Sequence, residues 1–347
     1  MVDIRFITDD EVPAFHRAVP FGFGDDLTED DGAHDRFRDL FPLETCIGAF
    51  ADGRVVGTFG SFDFELTVPG GAVPMAGTTI VTVQPTHRRQ GVLRTMMRMH
   101  LEQAVDRGQP IAGLWASETP IYGRFGYGMA AGSQHLTVPT DLVSLPPGTD
   151  TDVVRLIDPD DAMDILPDIY ERVRLATPGM WARSEPWWRH RCLRDPEHWR
   201  DGASSRRIAV VRRGDDAVGY VAYRQKEKWE GGVPAGTVMV IEVIAVDDDA
   251  RRSLWDYLAH IDLFPTVEWW NAPMDYPLSL EVDFDRRITR KPGDALWLNL
   301  LDIPTALSAR TYESDGFITF GITDAFLGRA GSYRLTIEGG RGECEPT

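Results

Sequence analysis

Alternating apolar and polar positions mark the first elements of the chain. Residues 4–7 read as a short strand. Thr8-Asp9-Asp10-Glu11 follows, a Thr with a Glu three residues on, which is a helix-start signature. Phe21-Gly-Phe-Gly-Asp-Asp-Leu-Thr-Glu-Asp-Asp31 is broken by glycine and rich in acid, so it reads as a loop with two aromatics. Two turn signals, Ala51-Asp52-Gly53 and Pro69-Gly70-Gly71, separate strand pairs at 45–50 with 54–59 and at 61–68 with 73–83. Over 92–105, Leu93, Met96, Met97, His100, Leu101 and Ala104 keep helical spacing. A short apolar strand at 111–115 precedes Tyr122-Gly-Arg-Phe-Gly-Tyr-Gly128 and a strand at 134–138. The stretch 139–152, rich in Pro, Thr and Asp, reads as a linker.

The same pattern then returns. Strand signals at 207–212 and 217–223, around the turn Gly214-Asp215-Asp216, parallel 45–61. The apolar run 238–246 with the helix-like 247–257 parallels 79–97. Gly219 trails Gly57 by 162 residues and Leu254 trails Leu93 by 161, so the offset points to a duplicated fold unit. A third segment shows strand patterns at 296–301, 316–322 and 332–338, with a short helix at 304–310. Some 70 residues with three strands is thin for an independent core, so this part either packs on the rest or is a fragment. The layout expected is three parts, 1–140, 150–280 and 285–347.

Composition narrows the partners. The formal net charge is −18, which excludes a large basic footprint for nucleic acid or an anionic membrane. Cys46, Cys192 and Cys344 are too few and too scattered for a disulfide framework or a zinc site. No apolar run approaches the roughly 20 residues of a membrane span, and the N-terminus has no signal pattern. A cytoplasmic protein without a metal is expected. The tryptophans between 181 and 199 read as core or inter-domain packing.

Against this acidity one segment stands out, Val81-Thr-Val-Gln-Pro-Thr-His-Arg-Arg-Gln-Gly-Val-Leu-Arg94. A strand enters a tight turn with Arg88, Arg89 and Gly91, and a helix begins at once. Successive backbone N–H groups at a helix start make an anion site, and Gly91 lets a phosphate approach closely. No Gly-Lys-Ser/Thr and no G-x-G-x-x-G accompany it, which excludes Walker and Rossmann loops. A plain strand–helix turn with two solvated arginines is the alternative reading.

The segment resembles the acetyl-coenzyme A signature of GCN5-related N-acetyltransferases (GNATs), R/Q-x-x-G-x-G/A, here Arg88-x-x-Gly91-x-Leu93 with Leu at the last position. Together with Leu66-Thr-Val-Pro-Gly-Gly71 and Tyr122-Gly-Arg-Phe-Gly-Tyr-Gly128 it resembles the Eis (enhanced intracellular survival) family of lysine and aminoglycoside acetyltransferases. The resemblance implies an α+β fold of tandem GNAT-type domains, each a mixed twisted sheet with helices, plus a sterol-carrier-protein-like α+β domain at the C-terminus. It implies acetyl-CoA as cosubstrate and a primary amine of an aminoglycoside, a polyamine or a lysine as acceptor. A homo-hexamer is implied too. Arg88, Arg89, Gln90, Gly91, Val92 and Leu93 then meet the pyrophosphate, and the strand edge at Val81 and Val83 meets the pantetheine. Tyr122 stands where this superfamily carries its general-acid tyrosine, while Tyr127 reads as packing. The first loop and the segment before Tyr122 supply the acceptor side through Phe23, Asp25, Asp26 and Glu118, where acids beside aromatics suit a cation. The family assigns the general base to the chain's own C-terminal carboxylate. This chain runs to Thr347 on a Pro-Thr end, so truncation, or Glu118 or Asp26 as substitute base, are the expectations. At an offset of 161, Arg88, Arg89 and Gly91 become Asp249, Ala250 and Arg252, which predicts a second copy without a pyrophosphate loop. A non-catalytic coenzyme- or lipid-binding homologue, and an enzyme using another acyl-CoA, are the competing expectations.

Overall fold

The computed structural model describes residues 2–25, 32–145 and 152–347. The chain opens with β1 (Asp3–Phe6), α1 (Val12–Phe23), α2 (Ala33–Leu40), β2 (Ile47–Ala51), β3 (Arg54–Val68) and β4 (Gly71–Val83). It continues through α3 (Val92–Asp106), β5 (Ile111–Trp115), α4 (Thr119–Tyr122), β6 (Gly128–Met129) and β7 (Gly132–Pro139). Then come β8 (Asp152–Leu156), α5 (Ala162–Ala176), α6 (Glu185–Trp187), β9 (Arg207–Arg213), β10 (Asp216–Lys226) and the small hairpin β11 (Trp229–Glu230) and β12 (Val233–Pro234). After β13 (Thr237–Ala245), α7 (Asp248–Ala259), β14 (Thr266–Pro273), α8 (Leu278–Glu281) and β15 (Thr289–Asp294), the chain ends with β16 (Leu296–Leu300), α9 (Ile303–Ser308), β17 (Gly316–Asp324), β18 (Arg329–Glu338) and β19 (Arg341–Pro346).

Two compact units form, neither of them a continuous stretch. The first comprises Met1–Ala130, Thr177–Pro186 and Leu296–Thr347; the second comprises Ala131–Ala176 and Trp187–Ala295. The first unit's sheet runs β1-β2-β3-β4-β5-β16-β6, and the second's, read from its far edge, β8-β9-β10-β13-β14-β7-β15. The two orders correspond strand for strand, including a parallel pair at β4–β5 and at β13–β14. In each sheet the sixth strand comes from outside its contiguous run: β16 lies between β5 and β6, and β7 lies between β14 and β15.

Amphipathic helices close both cores. In the first unit Met96, Met97, Leu101 and Ala104 of α3 bury against Ile47, Ala49, Phe59, Ala76 and Leu114. In the second, Leu254, Trp255 and Leu258 of α7 bury against Val211, Val221, Val240 and Val267. Full burial of a side chain of this size contributes about 1.5–3 kcal/mol. In the C-terminal part, Ile303 of α9 packs with Leu335 and Cys344 of the antiparallel β17-β18-β19 sheet.

The duplication is real, but its register changes between strands and helix. Gly57 pairs with Val83 and Gly219 with Ala245, both at an offset of 162. Each glycine leaves room for the next strand: a Cβ on Gly57 would lie 3.1 Å from the Thr82 carbonyl oxygen, and one on Gly219 3.1 Å from that of Ile244. The buried helix positions 96, 97, 100, 101 and 104 correspond instead to 250, 251, 254, 255 and 258, an offset of 154. The sequence comparison at 161 therefore misplaced the loop. Asp249, Ala250 and Arg252 lie inside α7 and replace nothing in 88–91. The eight residues 84–91 have no counterpart, because Ala245 matches Val83 and Val246 matches Val92.

Three further expectations need correction. Phe21 to Phe23 are not loop: α1 runs through Phe23 and stops at Gly24, in the left-handed region at φ 81°. The strands expected at 54–59 and 61–68 are one, β3, bent by a bulge between Thr58 and Gly60. Residues 139–145 do not form a free linker, since Leu142, Val143 and Leu145 are buried in the second unit's core.

Candidate active site

A fork in the first sheet organises the site. β4 pairs with β5 only at Met75↔Ile111, Ala76↔Ala112 and Gly77↔Gly113, yet β4 continues to Val83. Among the described residues its edge over 78–83 is thereby left open on that side. The bulge against β3 turns this edge, and Ile80 there adopts φ 45°. A β-branched residue rarely accepts that conformation, at a cost of about 1–3 kcal/mol. Gly60 helps to accommodate it, because a Cβ there would come within 2.8 Å of the Ile80 side chain. Bulges of this kind re-aim a ladder next to active sites.

At the end of β4 the chain turns through residues 84–91. Arg89 (φ 63°) and Gly91 (φ 83°) both take left-handed backbone, and Gly91 leads directly into α3 with open space on its Cβ side. Among the described residues no side chain caps α3. Its first backbone bond is Thr95 N–H to Gly91 C=O at 3.0 Å, so the amides of Val92, Leu93 and Arg94 have no intrahelical acceptor. The side chains of Arg88, Arg89 and Gln90 are exposed; Arg88 Nε donates to Val83 O at 3.2 Å and Gln90 Nε2 to Thr86 O at 3.2 Å. These features fit a diphosphate. The corresponding helix α7 differs. Asp247 Oδ1 accepts from Ala250 N–H at 2.9 Å, and Arg213 lies 2.8 Å from Asp247 Oδ2, holding that carboxyl below the usual carboxylate range. The anion position of that helix is filled by the protein's own carboxylate.

Tyr122, the last residue of α4, is buried in the cluster that also packs Val81, Val83, Val92 and Leu93. The loop, the open edge and this phenol thus share one core. Burial raises the Tyr122 pKa; a hydrogen bond to Ser117 offsets part of the rise, and the Glu118 charge adds to it. Tyr122 is therefore a protonated donor at neutral pH. Its ring meets Tyr127 edge-on at 6.1 Å.

Tyr127 does more than pack. Its hydroxyl lies 2.9 Å from Thr78 Oγ1, which lies 2.8 Å from His100 Nε2, and all three residues are buried. Thr78 is the first β4 residue past the pairing with β5, so this polar chain ends at the fork. Desolvation lowers the His100 pKa to about 3 and pushes the Tyr127 phenol well up. Sequence reading missed Thr78 and counted His100 as a helix-face position.

On the acceptor side, Phe23 is 50% exposed on the last turn of α1. Asp25 and Glu118 are also exposed, and neither side chain makes a hydrogen bond or ion pair among the described residues. Asp26 lies outside the described residues. Glu118 immediately precedes α4, the short helix that ends in Tyr122, and its charge acts on that phenol. What the structure adds is a line of rings: Phe41 to Phe62 at 4.4 Å, Phe62 to Phe64 at 5.4 Å, Phe64 to Trp181 at 5.6 Å and Trp181 to Trp115 at 6.3 Å. Residues 179–182 run beside β3, with Thr67 N–H donating to Met180 O at 2.8 Å. Trp115, at the end of β5 and just past the fork, is 43% exposed. Among the described residues no three His, Cys, Asp or Glu side chains cluster as a metal site.

Comparison with known proteins identifies this arrangement. Residues 3–130 and 179–297 each match a family model described as an acetyltransferase (GNAT) domain. An uncharacterized N-acetyltransferase of Streptomyces avermitilis is 38% identical over 351 residues, covering 99% of this chain and 85% of the relative. N-acetyltransferase Eis of Mycobacterium tuberculosis is 31% identical over 353 residues, covering 98% of this chain and 83% of its own length. The crystal structure of Eis1 from Mycobacterium abscessus matches with a TM-score of 0.82 at 30% identity, covering 100% of this chain and 85% of that one. With tandem GNAT domains and full-length relatives of this kind, the chain belongs to the Eis family of GCN5-related N-acetyltransferases.

Proposed function

We propose that the first unit transfers the acetyl group of acetyl-CoA to a primary amine of a cationic small molecule, an aminoglycoside or polyamine, or of a lysine. The observation that carries this reading is the uncapped start of α3 beside the open edge of β4, against an α7 start filled by Asp247. In this reading the amides of Val92 and Leu93, with Gly91, Arg88, Arg89 and Gln90, hold the diphosphate. Val81 and Val83 offer strand hydrogen bonds to the pantetheine arm. The bound coenzyme supplies an acyl group activated as a thioester. Tyr122 then donates its phenolic proton to the sulfur that departs when the neutral amine nitrogen bonds to the acyl carbon, the nitrogen releases its surplus proton to solvent, and the raised pKa of Tyr122 keeps it loaded at neutral pH. Phe23, Asp25, Asp26 and Glu118 attract and orient the cation, and the exposed Trp115 gives it an aromatic face. The second unit serves as a structural partner. A sterol-carrier-like fold for 285–347, a homo-hexamer and a cytoplasmic setting belong to the same family-based reading; among the described residues no helix is long and apolar enough to cross a membrane.

The test is release of free thiol from acetyl-CoA with kanamycin, spermidine and a lysine peptide as acceptors. Turnover with at least one is expected, and silence with all three sinks the small-amine reading. Tyr122→Phe should cut turnover about 100-fold or more with coenzyme affinity nearly unchanged. An unaltered rate removes Tyr122 from the role.

A further inference from the structure

Many arginines in this acidic chain are partnered by carboxylate, such as Arg5 with Glu11 at 2.6 Å, Arg38 with Asp9 at 2.7 Å and Arg213 with Asp152 at 2.7 Å. Arg94 and Arg124 are not. Both are exposed, and neither makes a hydrogen bond or ion pair among the described residues. Each is instead mounted on a ring. The Arg94 guanidinium carbon lies 5.1 Å from the Phe326 centroid, with Arg98 at 5.0 Å from the same ring, and Arg124 lies 5.0 Å from Phe125. The two rings meet edge-on at 4.9 Å. An aromatic face orients a guanidinium without neutralising it, so its N–H fork stays available to an anion.

The platform is held firmly. Phe326 is 4% exposed at the turn between β17 and β18. Asp324 Oδ1 accepts from the N–H groups of Phe326 at 2.9 Å and Leu327 at 3.0 Å, while Arg98 Nη2 donates to the Phe326 carbonyl. Arg329 ties the same turn to Leu301 O at 2.7 Å. The C-terminal hairpin thus braces the first turns of α3, where Arg94 follows Gly91 by three residues.

We propose that Arg94 and Arg124, seated on Phe326 and Phe125, bind the ribose 3′-phosphate of the coenzyme and so select coenzyme A over its dephospho form. The proposal rests on the coenzyme reading of the 84–91 loop. There the diphosphate is satisfied by amides and by Arg88 and Arg89, and the coenzyme's remaining phosphate is a dianionic monoester. Arg94 lies three residues past Gly91 and Arg124 is linked to it through the Phe125–Phe326 ring pair; two such cations match the phosphate in charge and in the forked geometry that phosphate accepts.

Calorimetric titration of the full chain with coenzyme A and with 3′-dephospho-coenzyme A, without any acceptor, tests this. The parent should bind coenzyme A about tenfold or more tighter than the dephospho form. The Arg94→Gln, Arg124→Gln double variant should lose that preference by weakening coenzyme A alone. Phe326→Leu, which keeps an apolar side chain but removes the ring, should lose part of it. Equal affinity of the parent for both ligands overturns the proposal and leaves the coenzyme reading standing. A double variant that weakens both ligands equally also overturns it, since the arginines would then act on the diphosphate. No binding of either ligand overturns the loop reading as well.

Discussion

His100 makes a quantitative prediction because its environment is so well defined. It is 2% exposed, its Nε2 is 2.8 Å from Thr78 Oγ1, and its ring lies 4.8 Å from Phe59. Burial lowers its folded pKa to about 3, against about 6.5 for an unfolded chain. Between these values the unfolded chain binds a proton that the native state refuses, so stability rises with pH across the window. The contribution is fully present above about pH 6.5 and is lost as pH falls toward 3. At pH 5 the loss is about 2 kcal/mol, and at pH 4 about 3 kcal/mol. The measurement is the unfolding free energy of the parent minus that of His100→Gln, taken in urea at pH 7.5 and pH 5. Most other titrating groups cancel in the difference. The parent's advantage should shrink by about 2 kcal/mol on acidification, and the His100 ring-proton NMR resonance should stay fixed from pH 8 to 5. A pH-independent difference, or a resonance titrating near 6.5, would refute the buried neutral imidazole.

Other perturbations address the site and its degenerate counterpart. Gly22→Ala places a Cβ 2.4 Å from Thr82 Cβ, a branch point that cannot swing aside, so the helix-propensity gain should be outweighed by about 1–3 kcal/mol of overpacking. Because Thr82 sits between Val81 and Val83, coenzyme affinity should fall with stability; a more stable protein would mean that α1 is free to move. Reversing charge at Arg88 and Arg89 should weaken coenzyme binding steeply at low salt and less at high salt, and normal affinity would mean that the loop is misread. Asp247→Asn removes one partner of Arg213 and the charge at the start of α7, and should destabilise by about 1–2 kcal/mol. Coenzyme affinity should not change, and a large change would assign the second unit a binding role.

Local chemistry made much of this legible in the sequence. The glycine turns at 53, 70 and 214 announce the hairpins, and the strand–Arg-Arg-x-Gly–helix passage announces the anion loop. What stayed hidden was of two kinds. An eight-residue difference in length shifts the second copy's helix against its strands, so a single offset aligned Leu254 with Leu93, whereas in the fold it occupies the place of His100. Long-range placement was equally silent. The pattern of β7 does not tell which sheet it completes, and the partner of His100 lies 22 residues back in a strand. Phe21-Gly-Phe-Gly reads as a breaker, yet the helix continues because Gly22 lets its backbone press onto Thr82.

The sixth strand of each sheet also sets a timetable for synthesis. β16 zips onto β5 from Leu296↔Trp115 to Leu300↔Ile111 and onto β6 at Trp297↔Met129. It leaves the ribosome roughly 180 residues after β5, about 10–35 s later at usual translation rates. Throughout that interval the first sheet has a missing stave, with the edges of β5 and β6 bare. The second sheet never waits in this way, since β7 is made before the strands it will join. The first sheet is thus the one whose closure depends on the last-made of its seven strands.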